Sequence, residues 1–131
     1  MKERLLDLLK NSSSNYYNYA VSSIIVCNDG KTFEGVNVET SSPGASICAE
    51  RNALFSAITK GYKKGDFKEI HVMSKNGVYP CFICRQALVD FCNNDTKIIT
   101  YDINGNNKEV TLKDLTPYGF SDEDIVWNQD L

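Results

Sequence analysis

The chain has 131 residues, 42% hydrophobic and 24% charged, with a net charge of −3. That length holds one core, so a single domain over residues 1–131 is expected, and an acidic balance without a basic run argues against nucleic acid as partner. No apolar stretch is long enough to cross a bilayer, and the five cysteines come with no signal-peptide pattern, so the reading is a reducing, cytoplasmic setting without disulfides or membrane.

In chain order, "MKERLLDLLK" reads as an amphipathic helix with Leu5, Leu8 and Leu9 on one face. The polar run "NSSSN" stops it. Residues 19–39 form two β-rich runs around Asn28-Asp29-Gly30, a hairpin signal. After a loop over residues 40–46, Ser46 is expected to cap a helix from near Ile47 to Lys60-Gly61. "FKEIHVMS" is a strand, and Pro80 leads into a second core helix from Cys81 to about Cys92. "TKIITYD" and "KEVTL" are strands joined by a tight turn, then a short helix over about 112–116 and a tail. The last strand pair must be antiparallel, because so few turn residues cannot make a parallel crossover. Interleaved helices and strands predict an α/β chain, a three-layer α/β/α sandwich.

The chemistry concentrates at the starts of the two core helices. Counting from Glu50, the apolar residues Ala53, Leu54, Ala57 and Ile58 fall on one helical face. Glu50 therefore heads a buried stripe, where a carboxylate is costly. Cys48 lies two residues before it, and Cys81-Phe82-Ile83-Cys84 is a C-x-x-C at the head of the other helix. Helix N-termini favour thiolates, so the three cysteines suit Zn²⁺. Cys81 and Cys84 share a face with Leu88 and Phe91, so both are expected to point toward the core. Three thiolates leave one open position on a tetrahedral metal, the mark of a catalytic site. Arg51, three residues after Cys48, can donate to a thiolate. Glu50 is near the metal without being a ligand, and there it can move protons.

Plainer readings stand beside these. The cysteines could form a closed structural site with His71 as fourth ligand. Glu50 could cap the helix, Arg51 could be a surface residue, and Asn37 and Glu39 could simply end a strand. Cys27 and Cys92 read as core thiols, and Tyr16 and Tyr17 as interface residues. Phe120 and Trp127 are tail aromatics, expected to dock on the body or on a partner subunit.

Cys48-Ala49-Glu50 together with Pro80-Cys81-x-x-Cys84 is the signature of zinc deaminases. Over residues 19–120 the sequence resembles the small, all-cysteine cytidine deaminases, in "GVNVET", "CAERNALFSAI", "PCFICRQ" and "LKDLTPYGFSDED". The resemblance implies a five-stranded mixed sheet between helices. It also implies a homotetramer with shared active sites, one Zn²⁺ per subunit and a role in pyrimidine salvage. The implied reaction is hydrolysis of cytidine and deoxycytidine to uridine and deoxyuridine with release of ammonia. Water activated at the metal attacks C4, while Glu50 carries its proton to N3 and then to the amine.

By the same resemblance Cys48, Cys81 and Cys84 hold the metal, with Arg51 behind them. Asn37 and Glu39 contact the sugar hydroxyls, and the Ala49 N–H meets the pyrimidine O2. Tyr19 stands beside the nucleoside, where the family usually has Phe. Phe120 reaches a neighbouring subunit's base. Ser22-Ser23 replaces the family's Gly-Ala, Pro43 a common aromatic, and Phe82 a Gly. These departures keep blasticidin S open as an alternative substrate, with a non-catalytic zinc-stabilised binding domain as a reading of another class.

Overall fold

The computed structural model describes residues 1–127, so the end of the expected 1–131 domain lies outside the described residues. Its elements are α1 (Lys2–Leu9), β1 (Val21–Cys27), β2 (Thr32–Val36), α2 (Ala49–Thr59), β3 (Phe67–Ser74), α3 (Phe82–Phe91), β4 (Lys97–Tyr101), β5 (Asn107–Thr111) and α4 (Leu112–Leu115). Single 3₁₀ turns lie at Pro43–Ala45 and Asp122–Asp124. The five strands form one sheet in the order β2-β1-β3-β4-β5. Only β3 and β4 pair in parallel, joined through α3; β4 and β5 form the expected antiparallel hairpin.

Strand alternation divides the core between two faces. Ile70 and Val72 of β3 turn toward α2 and α3, packing with Leu54, Leu88 and Ile98. Met73 turns the other way, where Leu5 of α1 closes over Ile24, Ile99 and Tyr101. This is the three-layer arrangement with a mixed sheet that the sequence predicts.

Two glycines set the geometry of β2, Gly30 at the far end of the sheet and Gly35 beside the start of α2. Gly30, at φ +88°, closes the β1–β2 hairpin, and its N–H donates to the Cys27 carbonyl at 2.9 Å. Gly35 in β2 lets α2 lie directly on the strand: a Cβ there would sit 2.5 Å from the Ala49 oxygen and from the Ala53 nitrogen.

Two local expectations are corrected. The second helix begins at Ala49 with Cys48 as its N-cap, not near Ile47 with Ser46. The Ser46 hydroxyl instead accepts from the Thr40 N–H at 3.0 Å, and Ile47 pairs with Val38 in a β-bridge. A backbone partner for Ile47 outcompetes an extra helical turn. The run "NSSSN" also does more than end α1, since Ser13 pairs with Val38 alongside the end of β2. The Phe120 and Trp127 side chains are 57% and 78% exposed, while the Phe120 carbonyl accepts from Gln86 Nε2 of α3 at 2.8 Å.

The unusual Ser22-Ser23 pair is fully buried and fully bonded. Ser22 donates to the Leu5 carbonyl at 2.8 Å, tying α1 to β1, and Ser23 to the His71 carbonyl at 2.9 Å. Buried hydroxyls with partners are tolerated in a core.

Candidate active site

Cys48 and Cys81 are the N-cap residues of α2 and α3, each extended, with no side-chain cap bond at either position. Their backbone carbonyls accept the first helical bonds from Asn52 and Arg85, at 3.0 and 2.9 Å. Their sulfurs are thus left to one another, 3.6 Å apart. Cys84, fully buried one turn into α3, completes a group whose sulfurs all lie within 4.8 Å. The expectation that both cysteines of the C-x-x-C face the core holds for Cys84 and fails for Cys81, which is exposed. As an N-cap, Cys81 stands outside the helical periodicity that ties Cys84 to Leu88.

The donor set fits zinc. Zn–S bonds of about 2.3 Å at tetrahedral angles place sulfurs about 3.8 Å apart, close to this spacing. The Arg51 guanidinium spans two of them, Nε donating to Cys84 Sγ and Nη2 to Cys48 Sγ, both at 3.4 Å. A hydrogen bond from Cys84 and this guanidinium pull Cys48 down to about 5. Cys84 goes strongly the other way, because it gives that hydrogen bond and is buried. Adjacent sulfurs cannot all ionise together unaided; a divalent cation among them removes that limit.

His71 is not a fourth ligand. It lies across the sheet, on the α1 side, with Nδ1 2.8 Å from the Tyr101 hydroxyl and Nε2 3.0 Å from Glu69. One residue of strand alternation from Val72 is enough to put it there. Among the described residues Cys48, Cys81 and Cys84 are the cluster that could hold a metal.

Glu50 is 5% exposed and lines a cavity of about 280 Å³ together with Ala49, Cys48 and Cys81. Burial raises its carboxyl to about 7; its own backbone N–H opposes the rise, and the Cys48 charge adds to it. Ala49, Glu50 and Arg51 form the first turn of α2, where N–H groups have no helical acceptor.

Asn37, Glu39 and Tyr19 line the same cavity. Asn37 is heavily used by the protein itself. Its Nδ2 donates to the Tyr19 carbonyl at 2.8 Å, and its Oδ1 accepts from the Val21 N–H at 2.8 Å and from Ser12. Glu39 accepts the Tyr16 and Tyr17 N–H groups through Oε1 alone, at 3.2 and 3.3 Å, so Oε2 is left for a ligand. Phe120 is not among the residues that line this cavity.

Val78 and Tyr79 also line the cavity and were not singled out in the sequence. Both lie in "NGVYP", directly before Cys81 of the cysteine cluster. That adjacency is the signal in the sequence, since a loop leading into Cys81 must run past the cysteine cluster.

A family model for the "cytidine and deoxycytidylate deaminase zinc-binding region" matches residues 1–109. The chain belongs to the cytidine deaminase family. A cytidine deaminase of Mycoplasma genitalium is 34% identical over 119 residues, covering 90% of this chain and 91% of that protein. One from Halalkalibacterium halodurans is 34% identical over 110 residues, covering 84% and 83%. Among solved structures, the cytidine deaminase of Burkholderia pseudomallei aligns with a TM-score of 0.83 at 33% identity, over 92% of this chain and 99% of that one. The cytidine deaminase frame thus spans the sheet, both cysteine helices and the cavity.

Proposed function

We propose that the chain hydrolyses cytidine and deoxycytidine to uridine and deoxyuridine, releasing ammonia. The observation that carries this reading is the placement of Glu50. An acid 5% exposed costs stability, a cost that points to a role in function, and it faces a cavity beside three clustered cysteines. The similarity to proteins named cytidine deaminase supports the substrate class.

Zn²⁺ held by Cys48, Cys81 and Cys84, one per subunit, would supply the Lewis acidity that makes water nucleophilic near neutral pH. Arg51 fixes the positions of Cys48 and Cys84. Glu50 accepts a proton from the attacking water and delivers it to N3 as the C4–O bond forms. A second proton then goes through Glu50 to the exocyclic amine, the C4–N bond breaks, and ammonia leaves. Burial raises the Glu50 carboxyl and a neighbouring divalent cation would draw it back down, a balance that suits a group that both takes and gives protons. The Ala49 N–H donates to the pyrimidine O2. Glu39, with its uncommitted oxygen, and Asn37 receive the sugar, and Tyr19 walls the ring.

We further propose a cytoplasmic homotetramer serving pyrimidine salvage, in which Phe120 enters a neighbour's site. Its exposed ring, outside the cavity of its own subunit, supports that role. No helix among the described residues is long and apolar enough to cross a membrane.

The test follows the loss of cytidine absorbance alongside zinc content. Glu50→Ala should keep zinc and fold yet lose turnover by about 10²- to 10⁴-fold, the usual contribution of a proton-transfer group. Retained turnover would remove Glu50 from this role. A zinc-loaded wild-type protein inert on cytidine, deoxycytidine and blasticidin S would leave the non-catalytic binding domain, and faster turnover of blasticidin S would reassign the substrate.

A further inference from the structure

We infer that the Tyr19 hydroxyl and the Asn76 side chain form a latch that closes the rim of the cavity. Neither group belongs to the proton-transfer machinery, and the inference rests on the deaminase reading only for its kinetic consequence. The Tyr19 O–H donates to Asn76 Oδ1, joining segments that are 57 residues apart in sequence.

Each side of the latch is anchored. On one side, the Tyr19 carbonyl accepts from Asn37 Nδ2, and Asn37 Oδ1 holds the Val21 N–H and the Ser12 hydroxyl. Asn18, at φ +52°, turns the chain so that Tyr19 leaves that belt toward the cavity. On the other side, the loop over residues 75–80 is gripped at its base. The Ser74 hydroxyl accepts the Gly77 and Val78 N–H groups at 3.1 and 3.2 Å. Asn76 pairs with Asp102 in a β-bridge, and Gly77 lies so close to Asp102 that a Cβ would come within 3.2 Å of its nitrogen.

What this loop carries is the reason for the inference. Val78 and Tyr79 form cavity wall, and Cys81 follows Pro80 directly. The latch is the side-chain hydrogen bond from the loop to the opposite wall, so a belt runs from Ser12 through Asn37 and Tyr19 to Asn76. Tyr19 thus acts through its ring as wall and through its hydroxyl as a positioning group. A phenylalanine at this position would keep the wall and lose the tie.

The test compares Tyr19→Phe, Asn76→Ala, Asn76→Asp and the double variant Tyr19→Phe/Asn76→Ala. One neutral hydrogen bond corresponds to a rise in KM of roughly 2- to 10-fold on cytidine, with a smaller change in kcat. Asn76→Asp, which keeps an acceptor oxygen, should recover most of the loss. The double variant should be no worse than either single, because both remove the same bond. Amide exchange at Gly77 and Val78 supplies a readout that needs no turnover: it should speed up by a similar factor in Tyr19→Phe. Additive losses, an unchanged KM in an active wild-type background, or unchanged exchange would overturn the latch. A wild type without turnover but with accelerated exchange in Tyr19→Phe would sink the deaminase reading and leave the latch standing.

Discussion

Gly35→Ala adds one methyl group outside the site, yet its effect should be large at the site. The new Cβ would lie 2.5 Å from the Ala49 oxygen, 2.5 Å from the Ala53 nitrogen and 2.9 Å from Asn52 Cβ. Comfortable carbon contacts begin at about 3.5 Å, so strand and helix must part by about 1 Å. Two of the three obstacles are backbone, which cannot rotate away. Asn52 Nδ2 also donates to the Val36 carbonyl at 3.0 Å, so the separation strains a second tie between β2 and α2. Overpacking of this kind costs about 1–3 kcal/mol. At roughly 4 °C per kcal/mol, the melting midpoint should fall by roughly 4–12 °C. The moving turn carries Ala49 and Glu50, and a displacement of about 1 Å can cost on the order of 10²-fold in rate. Melts and single-substrate kinetics at 25 °C, with both proteins folded and zinc content matched, separate the two losses. An unchanged midpoint with unchanged kcat would refute the idea that Gly35 sets the position of the α2 start.

His71 gives a pH signature. Burial, ahead of the opposing Glu69 contact, lowers its folded-state value, so the native chain resists the proton that the unfolded chain accepts near 6.5. Stability is therefore unaffected well above that value and is lost as pH falls below it. Denaturant titrations at pH 7.5 and 5.5 should show His71→Gln losing less than wild type; equal losses would contradict this. Glu50 titrates in the opposite sense. Its folded value near 7 means the stripped protein gives up stability as pH rises from the ordinary carboxylate range through 7. After chelation of zinc, Glu50→Gln should accordingly be more stable than wild type at pH 8, by on the order of 3 kcal/mol, and melt higher. A lower melting temperature for the variant would show that the carboxylate is not destabilising there.

The parts of this molecule legible in the sequence are those governed by local periodicity or short spacing. The 3.6-residue stripe from Glu50 through Ala53, Leu54 and Ala57 is buried as read, and the turn at Asn28-Asp29-Gly30 closes where its φ demand requires. The C-x-x-C spacing held too, but only one of its two sulfurs follows the helix face, because Cys81 is a cap rather than a turn residue. Whatever depends on pairing across the chain was hidden. Ser12 and Ser13 looked like a helix stop and prove to be partners of Asn37, Val38 and Glu39. The family resemblance implies a sugar contact for Asn37, while its side chain bonds to Tyr19, Val21 and Ser12. These two findings are connected. A binding site placed between a strand end and two helix starts has irregular backbone on one side, and irregular backbone needs side-chain partners for its N–H and C=O groups. Polar residues near such a cavity therefore serve two masters, and spacing alone cannot say which one a given amide serves. Glu39, with one oxygen committed to the backbone and the other uncommitted, is placed to do both. Its free oxygen makes it the stronger candidate for gripping a sugar hydroxyl, with Asn37 holding the frame that presents it.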